Sequence, residues 1–254
     1  MLWYTGENKM IKGLILSVQF LTRIPINIPV EFNEDNLSKS TFFFPFTGMI
    51  IGGISGLIYY LFLNINKDIA SFLAVVSIII LTGGLHLDGI SDTFDGFFSA
   101  REKERVLDIM KDSRAGTFGV VGVVLVILLK YITISSLNGK VPLYLALSCG
   151  NGRFMAAIIM SFGKNARSGG IGDMFSSSNP KKYALVGGTI YSIIVLLIDP
   201  LFLVSIITSL LAVLIITYKS YKIIEGFTGD VLGANIELCE IISLLTFLVM
   251  LSWI

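Results

Sequence analysis

Long apolar runs separated by short polar clusters set the pattern of this chain. A helix needs about 20 apolar residues to cross a bilayer. Runs of that kind cover roughly 42–63, 69–87, 117–137, 141–162, 183–198, 201–218 and 232–254, predicting seven membrane helices. The stretch 183–198 is short, and Asp199-Pro200 breaks it from the next, so 183–218 reads as a tight helical hairpin. An eighth apolar stretch, about 10–22, is also short and is followed by Arg23 and Pro25. It reads as interfacial or re-entrant rather than spanning. The predicted fold class is all-α, a polytopic transmembrane helix bundle.

The basic residues orient these helices. With the region before residue 42 on the cytoplasmic side, that side holds Lys9, Lys12, Arg23 and Lys39, then Arg101, Lys103, Arg105, Lys111 and Arg114. Two further cytoplasmic loops hold Lys164, Arg167, Lys181 and Lys182, and Lys219 and Lys222. The opposite side has Lys67 and Lys140, while Lys130 and Arg153 fall inside spans. Such a bias places the loops as assigned, in the cytoplasmic (plasma) membrane, with the C-terminus outside.

Composition agrees. Of 254 residues, 54% are hydrophobic and 15% charged, and mean hydropathy is +0.81. Soluble domains carry about 25% charged residues. No polar linker divides the chain, so residues 1–254 read as a single membrane domain whose solvent partner is the lipid bilayer. A net charge of +1 gives no reason to expect nucleic acid. Cys149 and Cys239 lie in apolar stretches and read as buried thiols. His86 is the only histidine, which excludes a multi-His metal site. No cleaved signal peptide is expected. No internal repeat is evident, which counts against a transporter built from paired halves. A homo-oligomer is compatible with all of this.

The sharpest chemical signal is Gly83-Gly84-Leu85-His86-Leu87-Asp88-Gly89-Ile90-Ser91-Asp92-Thr93-Phe94-Asp95-Gly96. Asp88, Asp92 and Asp95 stand at i, i+4 and i+7, on one face if the stretch is helical. Like charges at that spacing repel, and a hard cation ligated by oxygen would offset this. Asp108 and Asp112 repeat the i, i+4 spacing in an amphipathic piece. Carboxylates without thiolates favour Mg2+, with Mn2+ as the alternative, and Mg2+ implies phosphate chemistry. The plainer reading is a solvated loop with surface ion pairs to Arg101, Lys103 and Arg105.

A second acidic run holds Asp230, Asn235, Glu237 and Glu240. Carboxylates inside a span face a cavity or a partner. They can add metal ligands and substrate contacts to the same cytoplasmic cavity, or pair structurally with Arg153 or Lys130. Arg114, beside Asp112, and Arg153 are natural bidentate phosphate partners. Either can equally be a structural ion pair.

These residues resemble the cobalamin synthase (adenosylcobinamide-GDP ribazoletransferase) family along nearly the whole chain. The matching blocks are Phe20-Leu21-Thr22-Arg23-Ile24-Pro25, Phe44-Pro45-Phe46-Thr47-Gly48, Gly84 to Gly96, Ile109 to Gly116, and Thr228-Gly229-Asp230-Val231-Leu232-Gly233-Ala234. The resemblance implies a Mg2+-dependent transferase acting in the last step of adenosylcobalamin assembly. It would join α-ribazole, or its 5′-phosphate, to adenosylcobinamide-GDP and release GMP. A weaker likeness reaches the CDP-alcohol phosphotransferases. There, Asp92 to Arg101 has one residue too many before its Ala-Arg pair, and the glycine expected before Asp108 is missing. On this reading Asp88, Asp92, Asp95, Asp108 and Asp230 are candidate metal ligands. Asp112 is a candidate base, Arg114 a phosphate contact, and His86 a rival base or a helix-end hydrogen-bonding residue. Arg23, Arg101, Arg153, Asn235 and Glu237 are candidate substrate contacts. The remaining alternative is an ion-coupled transporter.

Overall fold

The computed structural model describes residues 9–252. Among them the structure is helical, with α1 (Lys9–Leu21), α2 (Glu34–Leu63), α3 (Lys67–Thr82), α4 (Leu85–Phe98), α5 (Lys103–Ile109) and α6 (Thr117–Ser136) in the first half. There follow α7 (Val141–Phe162), α8 (Ile171–Ser177), α9 (Lys181–Ile198), α10 (Leu203–Ile224) and α11 (Gly229–Ser252). Helices α2, α6, α7, α9, α10 and α11 are long and apolar enough to cross a membrane, and a seventh crossing is counted if α3 and α4 together form one bent span. The chain is a membrane-integral helix bundle.

Helix α2 begins earlier than the apolar run at 42 implied. Asn33 caps it, accepting from the Asn36 amide at 3.0 Å, and Glu34 and Asp35 lie in its first turn, where the helix dipole favours negative charge. Its 30 residues make a rod of about 45 Å, longer than the ~30 Å of hydrocarbon it crosses. The polar start therefore stands clear of the lipid, and α1 packs beside that start. Lys9 and Lys39 both pair with Asp35, and Ser17 Oγ lies 2.7 Å from Thr47 Oγ1.

The apolar run 69–87 does not form one helix. Gly83 and Gly84 both take left-handed conformations, φ 65° and 71°, which glycine adopts without a Cβ penalty. The chain turns 89° there, so α3 ends and α4 sets off across the bundle. Helix α4 packs on the first turns of α6 and α11. The run 183–218 does form a hairpin, its turn held by Asp199, whose carboxylate accepts from the Leu201 amide at 3.0 Å.

Helix α7 is the most enclosed long helix, and α9 and α10 the least. Gly48, Gly52 and Gly56 of α2 lie flush on α7, where a Cβ would strike its backbone. Leu197, Leu211, Leu214 and Ile215 face outward from the hairpin, as a lipid-facing surface requires.

Candidate functional site

The bend at Gly83-Gly84 presents α4 to one face of the bundle. Its first turns cross α11 at two glycines. A Cβ on Gly89 would lie 2.6 Å from the Asp230 carbonyl and 3.1 Å from Gly233 Cα. That contact fixes Asp88 and Asp230 on neighbouring walls of a cavity of about 520 Å3. Arg23, His86, Asn165, Arg167, Asp173 and Thr228 add polar groups, while Phe20, Phe44, Met160, Phe227 and Ile236 line its apolar depth. The segment after α1 contributes Thr22, Arg23 and Phe32 to its wall. Gln19 braces this strap by donating to the carbonyls of Ile26 and Ile28 at 2.9 and 2.8 Å. The Arg23 amide ties it to Leu81 O at 2.7 Å.

The α4 carboxylates have different surroundings. Asp88 is exposed on the cavity wall. Asp92 is half-buried; burial, then the carboxylates of Asp88, Asp230 and Asp95, push its acid up to about 7. Asp95 is held by α6, whose Gly116 and Gly119 amides donate to its two oxygens at 2.7 and 2.9 Å. It does for α6 what a capping side chain does, from another helix. Asp230 accepts from Thr228 Oγ1 at 3.1 Å and pairs with Arg167 Nη2 at 3.3 Å. Among the described residues, no three His, Cys, Asp or Glu side chains are already gathered to ligate one ion.

The remaining candidates lie elsewhere. Asp108 is exposed on α5. Asp112 lies beyond the end of α5, so the i, i+4 pair does not share a helix. Arg114 clasps it through Nε at 3.0 Å and Nη2 at 2.7 Å, and this guanidinium holds the Asp112 acid at about 2. Asp112, Arg114 and Arg101 do not line the cavity. Arg153 and Glu237 sit in a buried ionic cluster. Lys130 Nζ donates to Glu237 Oε2 at 2.6 Å and to Glu240 Oε2 at 2.5 Å, and Arg153 pairs with Glu240 Oε1. Arg153 and Glu237, candidate substrate contacts from sequence, are instead engaged in the alternative, structural pairing, at 0–3% side-chain exposure. Asn235 is buried too, donating to Val231 O at 2.8 Å.

Arg23, from the first of the sequence blocks, Asp88, from the most specific, and Asp230, from the last, thus meet in one cavity. Residues 13–248 match the family model described as cobalamin-5-phosphate synthase. The chain belongs to that family. Relatives named adenosylcobinamide-GDP ribazoletransferase include one from Clostridium novyi, 38% identical over 93% of this chain and 96% of its own length. Another, from Treponema denticola, is 36% identical over 92% and 96%. A third, from Acetivibrio thermocellus, is 39% identical over 94% and 98%. No solved structure matches the chain.

Sequence reading passed over Arg167, Asn165 and Asp173. They lie in a polar stretch, 163–173, whose neighbours are set by tertiary contacts. Phe227 N donates to Lys164 O at 2.9 Å, and Ala166 N to Phe227 O at 2.8 Å. This two-sided clip brings the stretch alongside the run that ends in Asp230.

Proposed function

We propose that this chain is an adenosylcobinamide-GDP ribazoletransferase of the plasma membrane, with its cavity open to the cytoplasm. It joins α-ribazole, or its 5′-phosphate, to adenosylcobinamide-GDP. The acceptor hydroxyl oxygen bonds to the cobinamide-bound phosphorus and gives up its proton to solvent, the bond from that phosphorus to the bridging oxygen breaks, and GMP leaves with the electron pair. The reading rests on one observation: Arg23, Asp88 and Asp230, distant in sequence and all inside blocks of the family resemblance, line a single cavity.

The donor set fits a hard cation. Asp92 resists ionisation first because it is half-buried and then because the carboxylates of Asp88, Asp230 and Asp95 lie near it; a divalent ion among them would relieve the second of these. Mg2+ commonly binds through one or two carboxylates, keeping waters and taking substrate phosphates as further ligands. Asp88, Asp92 and Asp230 would hold it, with Asp95 fixing the angle of α4 against α6. Bound there, the ion supplies charge neutralisation for a diphosphate. The chain itself orients the reactants. Arg23 offers a guanidinium fork to phosphate oxygens. The apolar depth beside it suits an aromatic base and excludes water from the reacting phosphate.

The test uses purified protein in nanodiscs, both substrates, and Mg2+. GMP and the joined corrinoid should form together, and a chelator should stop both. Asp88→Asn should lose most turnover with an unchanged melting curve. Turnover that survives chelation would remove the ion from the account. Substrate-driven ion flux in sealed vesicles, with no GMP formed, would favour a transporter instead.

A further inference from the structure

We infer that Arg167 is a phosphate-binding residue of this site, held by Asp230 until a divalent cation takes its place; the inference rests on the reading just proposed. Arg167 lines the cavity on the loop between α7 and α8, together with Arg23 and Asp88. Its link to the protein is slight. Nη2 lies 3.3 Å from Asp230 Oδ2, long for a charge-assisted bond, which runs about 2.7–2.9 Å. Nη1 is buried and has no hydrogen-bond partner. A guanidinium carries five donors, so most of this fork is unengaged.

The pair is not what joins the two segments. The loop is registered against Phe227 by backbone hydrogen bonds from residues 164 to 166, which need no Arg167 side chain. What the guanidinium does is sit at the acidic cluster as its local positive charge. It faces Asp230 directly, and at Asp92 its charge partly offsets the burial and the neighbouring carboxylates that raise that acid. A hard cation bound among Asp88, Asp92 and Asp230 would compete for the same oxygens. Displaced from Asp230, the fork stays in the cavity, tethered by the clip, where a diphosphate beside the cation is the complementary partner. Cation and arginine would then grip the diphosphate from two sides.

This ordering predicts opposite effects from one substitution. In Arg167→Gln, Asp230 is freed, so Mn2+ measured by electron paramagnetic resonance without nucleotide should bind several-fold more tightly. GDP, which carries the donor's diphosphate, should bind about tenfold more weakly in calorimetry with Mn2+ present, the loss expected for a charge-assisted contact. Arg167→Lys keeps the charge without the fork and should recover part of the GDP affinity. A residue that merely supported the fold would weaken both ligands together, and that result overturns the inference. So does GDP affinity within about twofold of wild type in Arg167→Gln, a difference too small for such a contact. If Arg167→Gln fails to fold, wild-type GDP affinity in Arg167→Lys decides against the inference and a reduced one supports it. None of these readouts needs turnover. Wild-type protein that binds GDP with Mn2+ yet forms no GMP from both substrates would count against the transferase reading alone.

Discussion

Asp95 and Asp92 are one helical turn apart and have opposite surroundings. Asp95 accepts from two backbone amides at the start of α6, so Asp95→Asn should lower stability by about 1–3 kcal/mol, read from thermal unfolding in detergent. Asp92 is half-buried and has carboxylates for neighbours instead, and its signature is pH. An unfolded chain ionises this group near 4, the ion-free fold near 7. Between those values the folded state holds the proton that the unfolded chain has released. The chelated protein should therefore lose stability as pH rises from 4 to 7, with no further loss from this group above that. Asp92→Asn should flatten the curve. Mn2+ affinity should move the other way, falling about tenfold per unit as pH drops below 7, because the ion requires the carboxylate. Asp112 offers a contrast. Its exposed pair with Arg114 keeps it ionised throughout this range, so Asp112→Asn should leave the Mn2+ titration unchanged.

At the scale of elements, the decisive geometry lies where helices turn or cross. Gly89 meets α11 too closely for any side chain. Gly89→Ala should push α4 off Asp230 and cost about 1–3 kcal/mol, with Mn2+ binding lost more than stability. The expectations from sequence were most accurate where one period or one breaker governs. The run 141–162 is α7, and Asp199-Pro200 does turn the hairpin. They failed where backbone freedom decides. No Asp, Glu, Lys or Arg interrupts 69–87, so hydropathy could not reveal two consecutive left-handed glycines. The i, i+7 spacing did place Asp88, Asp92 and Asp95 on one short helix, because α4 is regular throughout. Spacing could not show which carboxylate meets amides, which meets other acids, and which lines a cavity. Arg167 was invisible for a related reason: its neighbour is 63 residues away and is set by the clip at Phe227.

For the molecule as a whole, the buried cluster of Lys130, Arg153, Glu237 and Glu240 ties α6, α7 and α11 together. Removing one member of a buried ion pair leaves its partner uncompensated, at about 3–5 kcal/mol. Glu240→Gln touches two cations at once and should lower the unfolding temperature more than Asp88→Asn, although it lies outside the cavity lining. Lys130→Met combined with Glu237→Gln removes one charge of each sign and should be less harmful than Lys130→Met alone.

The same four side chains add up to no charge. An electric field acts on net charge displaced across the bilayer, about 2.3 kcal/mol per elementary charge per 100 mV. Here two positive and two negative groups are bonded to each other, so as a unit they give the field no net charge to pull on. A voltage imposed across sealed proteoliposomes should leave the rate of GMP release flat. A machine that drove ions through those same acids would not be indifferent to it.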